Sequence, residues 1–262
     1  MPSLPIFLKT DYFLSAADCN AENEMPLSSL VRHIIESATE HANRLNVGYT
    51  RLSETGIAWV LSRLAIEIRR MPRVNERFSL ETRVTAVERH STDRLFELTD
   101  ADGRAVAAAR TVWVALDIRE RKLADLSLLS ELRDISAPWS PACAPPKRLR
   151  AVKEPQTSRE VEIWYSDLDI NRHLTTTRYI DMAMSAFPLE WHDANRVTRL
   201  DAMFMKETLP GSTVTLATTE TAPGQVQIDI SQAGQPHFVA QLTYAPRTDF
   251  REVLPQATGS NE

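Results

Sequence analysis

Only 7 glycines occur in these 262 residues, and the closest pair, Gly48 and Gly56, is eight positions apart. The dinucleotide-binding G-x-G-x-x-G, the phosphate-cradling P-loop and the G-x-S-x-G nucleophile elbow all need closely spaced glycines, so all three are excluded. Cysteine is scarcer still. Cys19 and Cys143 cannot build a disulfide framework or a Cys-rich zinc site, and they read as two reduced thiols of a cytoplasmic protein. His33 and His41 are eight apart and the other histidines are scattered, so neither a metal site nor a cofactor is expected. No apolar run approaches the ~18 residues of a membrane span. The N-terminal Met-Pro-Ser-Leu-Pro-Ile-Phe-Leu-Lys has no charged region before its apolar patch and no small-residue cleavage site, so a signal peptide is not expected. The net charge of −5 argues against bulk attraction to nucleic acid.

What is present is ordinary for a globular protein: 43% apolar and 25% charged residues. The length suits one large domain or two of usual size. The clearest break is at residues 137–146, which hold Pro138, Pro141, Pro145 and Pro146. Proline removes a backbone donor and fixes φ, so neither a helix nor a central strand can run through this stretch. It reads as a semi-rigid spacer, followed by the basic run Lys147, Arg148, Arg150 and Lys153.

In the first half, Leu27, Leu30, Val31, Ile34, Ala38, Ala42 and Leu45 follow helical spacing. Ser28 or Ser29 can cap this helix and Gly48 can end it. Ile57–Ile68 reads as a strand with Val60, Leu64, Ile66 and Ile68 on one face. Phe78–Val87 alternates again, and Leu95–Leu98 with Val106–Leu116 forms a hairpin across Asp102-Gly103. The second half repeats the order. A strand at Glu160–Tyr165 precedes a short helix at Thr176–Phe187, then strands at Val197–Thr208, Val214–Thr219, Val226–Ile230 and Phe238–Tyr244. Leu61 set against Val197, an offset of 136, pairs Arg63 with Arg199, Leu64 with Leu200, Leu80 with Leu216 and Thr82 with Thr218. An offset of 151 upstream pairs Asp18 with Asp169 and Asn20 with Asn171. Duplication is the favoured reading, with one helix covering an antiparallel sheet in each half.

The densest polar cluster is Tyr165-Ser-Asp-Leu-Asp-Ile-Asn-Arg-His173, between a strand and a helix. If extended, Asp169, Asn171 and His173 share one side. A carboxylate, an amide and an imidazole then meet the unpaired N–H groups of a helix start, which suit a developing oxyanion. A plain turn-and-cap loop explains the Asp and Asn about equally well. Glu207 shares a strand face with Met203 and Met205. Apolar neighbours raise a carboxylate's pKa and suit it to act as a base, although a solvated strand-end charge is the blander explanation.

This cluster resembles the S-D-x-D-x-N-x-H signature of acyl-acyl carrier protein thioesterases. Glu40-His-Ala-x-x-Leu-x-Val-Gly-Tyr49 and Ala58-Trp-Val-Leu-Ser-Arg-Leu64 are similar to that family's first half. The resemblance runs from about residue 10 to 245. It implies an α+β fold of two tandem hotdog domains, each a long helix wrapped by an antiparallel sheet. Residues 1–137 form a non-catalytic N-terminal domain supplying the acyl cavity, with Trp59 as a lining candidate. Residues 138–157 are a Pro-rich basic linker, 158–250 the catalytic domain and 251–262 a polar tail. The family's catalytic residues match Asp169, Asn171, His173 and Glu207, with oxyanion donors near Leu174, Thr175 and Thr176.

The implied activity is hydrolysis of a fatty acyl thioester on acyl carrier protein. That acidic partner would dock on Lys147, Arg148, Arg150 and Lys153, or on Arg69, Arg70 and Arg73; a solvated charged face is the alternative. A homodimer is open as well. Where plant members carry a Cys after the Glu, this chain has Thr208, so a Cys–His mechanism has no support. Leu174-Thr175-Thr176 stands where the family often has Val-Asn-Asn. An acyl-CoA thioesterase, a hotdog dehydratase and a non-catalytic acyl-binding protein are the alternatives. Met71 stands opposite Glu207 and no histidine follows Asn20 at the matching spacing, so one site per chain is expected.

Overall fold

The computed structural model describes residues 6–128 and 136–248; the expected polar tail at 251–262 lies outside them. In the first half, strand β1 (Leu8–Phe13) precedes helix α1 (Leu27–Arg44) and a short helix α2 (Tyr49–Glu54). Strands β2 (Ile57–Ile68), β3 (Arg77–Val87), β4 (Ser91–Asp100) and β5 (Ala105–Asp117) follow, with a two-residue β6 (Lys122–Leu123) paired to β5. The second half runs β7 (Thr157–Glu162), α3 (Thr176–Met184), α4 (Leu189–Ala194), β8 (Asn195–Phe204), β9 (Thr213–Ala222), β10 (Gln225–Gln232) and β11 (Gln235–Pro246).

All the strands join one sheet in the order β1-β3-β4-β5-β2-β8-β11-β10-β9-β7, with β6 at the side. The order is a palindrome: each half contributes the same five-strand path, and the paths meet where β2 pairs antiparallel with β8. Ala65 pairs with Asp201, 136 residues further on, so the pseudo-twofold axis passes through that pair. Helices α1 and α3 lie against each other beneath the sheet. This is the α+β double-hotdog arrangement that the resemblance implies.

The upstream register differs from expectation. Left-handed Asn23 matches left-handed Arg172, and the 3-10 turn Ala16–Asp18 matches Tyr165–Asp167. Both pairs are 149 apart, not 151, so Asn20 is the counterpart of Asp169 and Cys19 that of Leu168. Sparse identities misled the alignment, because Asp and Asn recur two residues apart in both loops.

Local details moved too. Val60 is exposed and Leu61 buried, because a bulge between Leu61 and Arg63 reverses the alternation. Helix α1 starts from Pro26 without a side-chain cap, and it ends at left-handed Asn46 rather than at Gly48. Gly48 instead precedes α2, where a Cβ would collide with the Asn43 side chain. The expected strand at Glu160–Tyr165 sits earlier, as β7, and helix α3 stops at Met184, short of Phe187.

The main core spans both halves. It includes Leu30, Ile34, Leu64, Ile66, Phe96, Ile180, Leu200, Ile228 and Phe238. Phe238 is fully buried, with Tyr179 stacked at 5.1 Å and Phe204 tilted at 5.2 Å between ring centroids. Phe238→Ala should destabilise the protein by about 3–5 kcal/mol, read as a lower urea midpoint with an unchanged slope.

Residues 136–156 contain no helix or strand, yet they are more than a spacer. Asp201 and Asp229 are buried carboxylates on the sheet, and a buried charge needs donors. Lys147 N–H donates to Asp201 Oδ1 at 2.9 Å and Val152 N–H to Asp229 Oδ2 at 3.0 Å, while Gln227 Nε2 donates to Arg150 O at 2.8 Å. The linker is a strap tied across β8 and β10. Burial still pushes the Asp229 carboxyl above its ordinary pKa, and that of the Cys143 thiol up to about 11. Cys143 is therefore a poor thiolate, in keeping with a packed rather than reactive role.

Candidate active site

The polar loop is a tight turn, not an extended segment. Asp169 N–H donates to His173 O at 2.8 Å and Arg172 N–H to Asp169 O at 3.0 Å, with Arg172 in the left-handed region. The Asp169 carboxylate sits inside this turn. Its Oδ1 accepts from Asn171 N–H at 2.8 Å and from His173 N–H at 3.1 Å. In the first half Asn20 Oδ1 accepts from Glu22 N–H and Glu24 N–H in the same pattern. Asp169 therefore shapes the loop that presents Asn171 and His173.

Glu207 is not on a strand. Strand β8 ends at Phe204, and Met205 is exposed, so the expected apolar face does not surround the carboxylate. Its neighbours are polar: His173 Nε2 lies 3.7 Å from Glu207 Oε2, and Arg121 Nη2 donates to the same oxygen at 3.1 Å. The Glu207 side chain is 44% exposed and that of Arg121 75%. Arg121 belongs to the first half and has left-handed φ, just before β6. Sequence reading missed it; a loop arginine 86 positions from its partner leaves no local signal.

The backbone fastens these groups together. Leu174 N–H donates to Thr208 O at 2.9 Å, linking the residue after His173 to the residue after Glu207. Thr175 N–H donates to Asp167 O at 2.9 Å. Two of the three amides expected to face an oxyanion are thus engaged within the protein. Thr176 opens α3, where a first-turn N–H has no intrahelical partner. Thr175 occupies the cap position without a side-chain bond. Asp167 is buried and accepts from Arg178 Nε at 2.8 Å and from Trp164 N–H at 2.9 Å, so it anchors the loop's base. Beside the loop lies an open cleft lined by Trp164, Tyr165, Leu168, Ile170 and Pro210.

Other expected residues lie elsewhere. Trp59 Nε1 donates to Val47 O at 2.9 Å and its ring packs between two small apolar clusters, a place in the core. The Lys147 ammonium donates to Gln241 Oε1 at 2.7 Å and lies 3.8 Å from Asp201, so it belongs to the strap. Arg148, Arg150 and Lys153 are exposed. Arg70 is paired with Glu76 and Asp100. Among the described residues, no cluster of three or more His, Cys, Asp or Glu could hold a metal, and no helix is long and apolar enough to cross a membrane.

In the first half the corresponding positions are inert. Glu24 stands for His173 and Met71 for Glu207. Glu24 pairs with Arg247 at 3.1 Å, and both side chains are largely buried.

A palindromic sheet whose second half sets His173 and Glu207 together beside an open cleft defines a double-hotdog protein with a candidate active site in that half. Residues 6–134 match the acyl-ACP thioesterase N-terminal domain and residues 150–245 the C-terminal domain. The chain belongs to the acyl-ACP thioesterase family.

The chain superposes on an acyl-ACP thioesterase from Bacteroides thetaiotaomicron with a TM-score of 0.84 and 26% identity, covering 92% of this chain and 98% of that one. The 12:0-ACP thioesterase of Umbellularia californica shares the fold, with a TM-score of 0.82 at 15% identity over 94% of this chain and 100% of that one. A chloroplastic palmitoyl-acyl carrier protein thioesterase from Gossypium hirsutum is 20% identical over 210 residues, 75% of this chain and 51% of that protein. The chain spans about half the length of the curated relatives it matches.

Proposed function

We propose that the chain hydrolyses fatty acyl thioesters carried on acyl carrier protein, releasing the free fatty acid. The observation that carries this reading is the 3.7 Å approach of His173 Nε2 to Glu207 Oε2 on a surface open to solvent. A carboxylate beside an imidazole can take a proton from water and pass it to the leaving thiolate. Glu207 and His173 activate the water, and Asn171 orients it or the thioester carbonyl. Asp169 holds the turn that aims both side chains. Because the amides of Leu174 and Thr175 are engaged, the Asn171 side chain and Thr176 N–H are the donors that remain for the oxyanion.

The acyl chain enters the first domain and the carrier docks on exposed basic residues. Arg121, Arg172 and Lys206 are exposed and lie at or next to the catalytic residues, which favours them beside Arg148, Arg150 and Lys153. The protein acts in the cytoplasm without a cofactor.

The test is hydrolysis of a chain-length series presented both as acyl carrier protein and as coenzyme A thioesters. The carrier-bound series should be cleaved with the higher kcat/KM, and added salt should lower that rate because exposed charges are screened. Equal rates on both thioesters would favour a coenzyme A enzyme. No turnover on either would leave a binding protein.

A further inference from the structure

Directly behind Glu207 lies a buried hydrogen-bond chain. Thr208 is fully buried, and its Oγ1 is 2.7 Å from Tyr179 OH and 2.7 Å from His237 Nδ1. Tyr179 comes from α3, His237 from β11 and Thr208 from the irregular segment after β8. Three elements thus meet at one hydroxyl. A threonine hydroxyl has one proton to give, so the chain has a sense. The tautomer of His237 sets it: an unprotonated Nδ1 accepts from Thr208 while Thr208 Oγ1 accepts from Tyr179, and an Nδ1–H reverses both bonds. Burial, with help from Lys206, lowers the pKa of His237, which favours the neutral imidazole. His237 O also accepts from Met205 N–H at 2.8 Å, so the same residue grips both sides of Glu207.

The other half supplies the comparison. The backbone bond from Leu174 to Thr208 recurs there as Met25 N–H to Pro72 O at 2.9 Å. The fold needs that bond in both halves. The side-chain clamp does not recur: Pro72 stands for Thr208 and buried Leu30 for Tyr179. The half without Glu207 and His173 packs this spot with apolar atoms. A polar chain at the same spot is the costlier solution, since every buried polar group must be satisfied. It occurs in the half that carries Glu207.

We propose that Thr208, held between Tyr179 and His237, is a positioning residue that fixes Glu207 against His173. The proposal rests on the thioesterase reading, in which Glu207 takes the proton. Thr208→Val keeps the shape and removes both hydrogen bonds. It should lower kcat roughly 10–100-fold, because a small misplacement near the chemistry is expensive, with KM unchanged. Thr208→Ser should restore the rate. In a Glu207→Gln background Thr208→Val should cost nothing further, since the two act as one unit. If Thr208→Val folds poorly, Tyr179→Phe keeps the ring on Phe238 and removes one end of the chain; it should show the same kcat-only loss, smaller in size.

A readout free of turnover separates this proposal from the functional one. The His173 imidazole resonances in NMR should move in Thr208→Val towards their positions in Glu207→Gln, and stay at wild-type positions in Thr208→Ser. Unmoved resonances in Thr208→Val, or a loss that persists in full in the Glu207→Gln background, would overturn the clamp. An inactive wild type overturns the thioesterase reading, and an active Glu207→Gln removes Glu207 from the mechanism; either leaves the NMR result to judge the clamp by itself.

Discussion

Glu207→Gln should lower thioester hydrolysis by about 10²–10⁴-fold, the usual contribution of a general base, while the protein melts as the wild type does. The substitution keeps the side chain's size and its reach to Arg121 and His173, and removes the charge that accepts a proton. Glu207 is about half exposed and outside the core, so little folding energy is tied to it. Arg121 gives the control. Arg121→Ala removes the 3.1 Å contact to Glu207 without touching the base itself, and should reduce the rate far less. Near-normal hydrolysis by Glu207→Gln, on the substrate the wild type cleaves best, would remove Glu207 from the mechanism.

Asp169 should behave unlike an ordinary catalytic aspartate. Its Oδ1 accepts two backbone N–H groups that shape the turn, and Asn20 does the same work with an amide oxygen in the first half. Asp169→Asn should therefore keep the turn and most of the activity. Asp169→Ala should release the loop, unfix Asn171 and His173 together, and cut turnover about 10²-fold, the cost of misplacing reacting groups. The two variants, measured side by side for kcat and for amide-exchange protection of His173, separate a shaping role from a charge role. Equal, deep losses in both would show that the negative charge itself is needed.

Much of the site could be read in the one-dimensional chain. The alternation of Asp169, Asn171 and His173 before a helix marked the loop, and Glu207 before a Pro-Gly turn marked a carboxylate near a strand end. The family resemblance joined the two. Neither signal described the geometry. Alternation suggested an extended segment, yet Asp169 bonds its own neighbours and curls the chain. The long strand through Thr208 was wrong because Met205 and Lys206 N–H turn to His237 O, which ends the pairing of β8 four residues early.

Through residue types and spacing the chain determined its own class: too few glycines for nucleotide or hydrolase loops, two cysteines, a proline break, and two halves with the same order of elements. Hydrophobic periodicity reports which face of a local element is buried, and that suffices for helices, strands and their repetition. Tertiary structure alone decided the 149-residue register of the loops, the strap over Asp201 and Asp229, the arrival of Arg121 from the other half, and the Tyr179–Thr208–His237 clamp. The last three are hydrogen bonds or ion pairs between segments distant in sequence. Such contacts depend on where the folded sheet brings its ends, and no local pattern in the chain encodes that meeting.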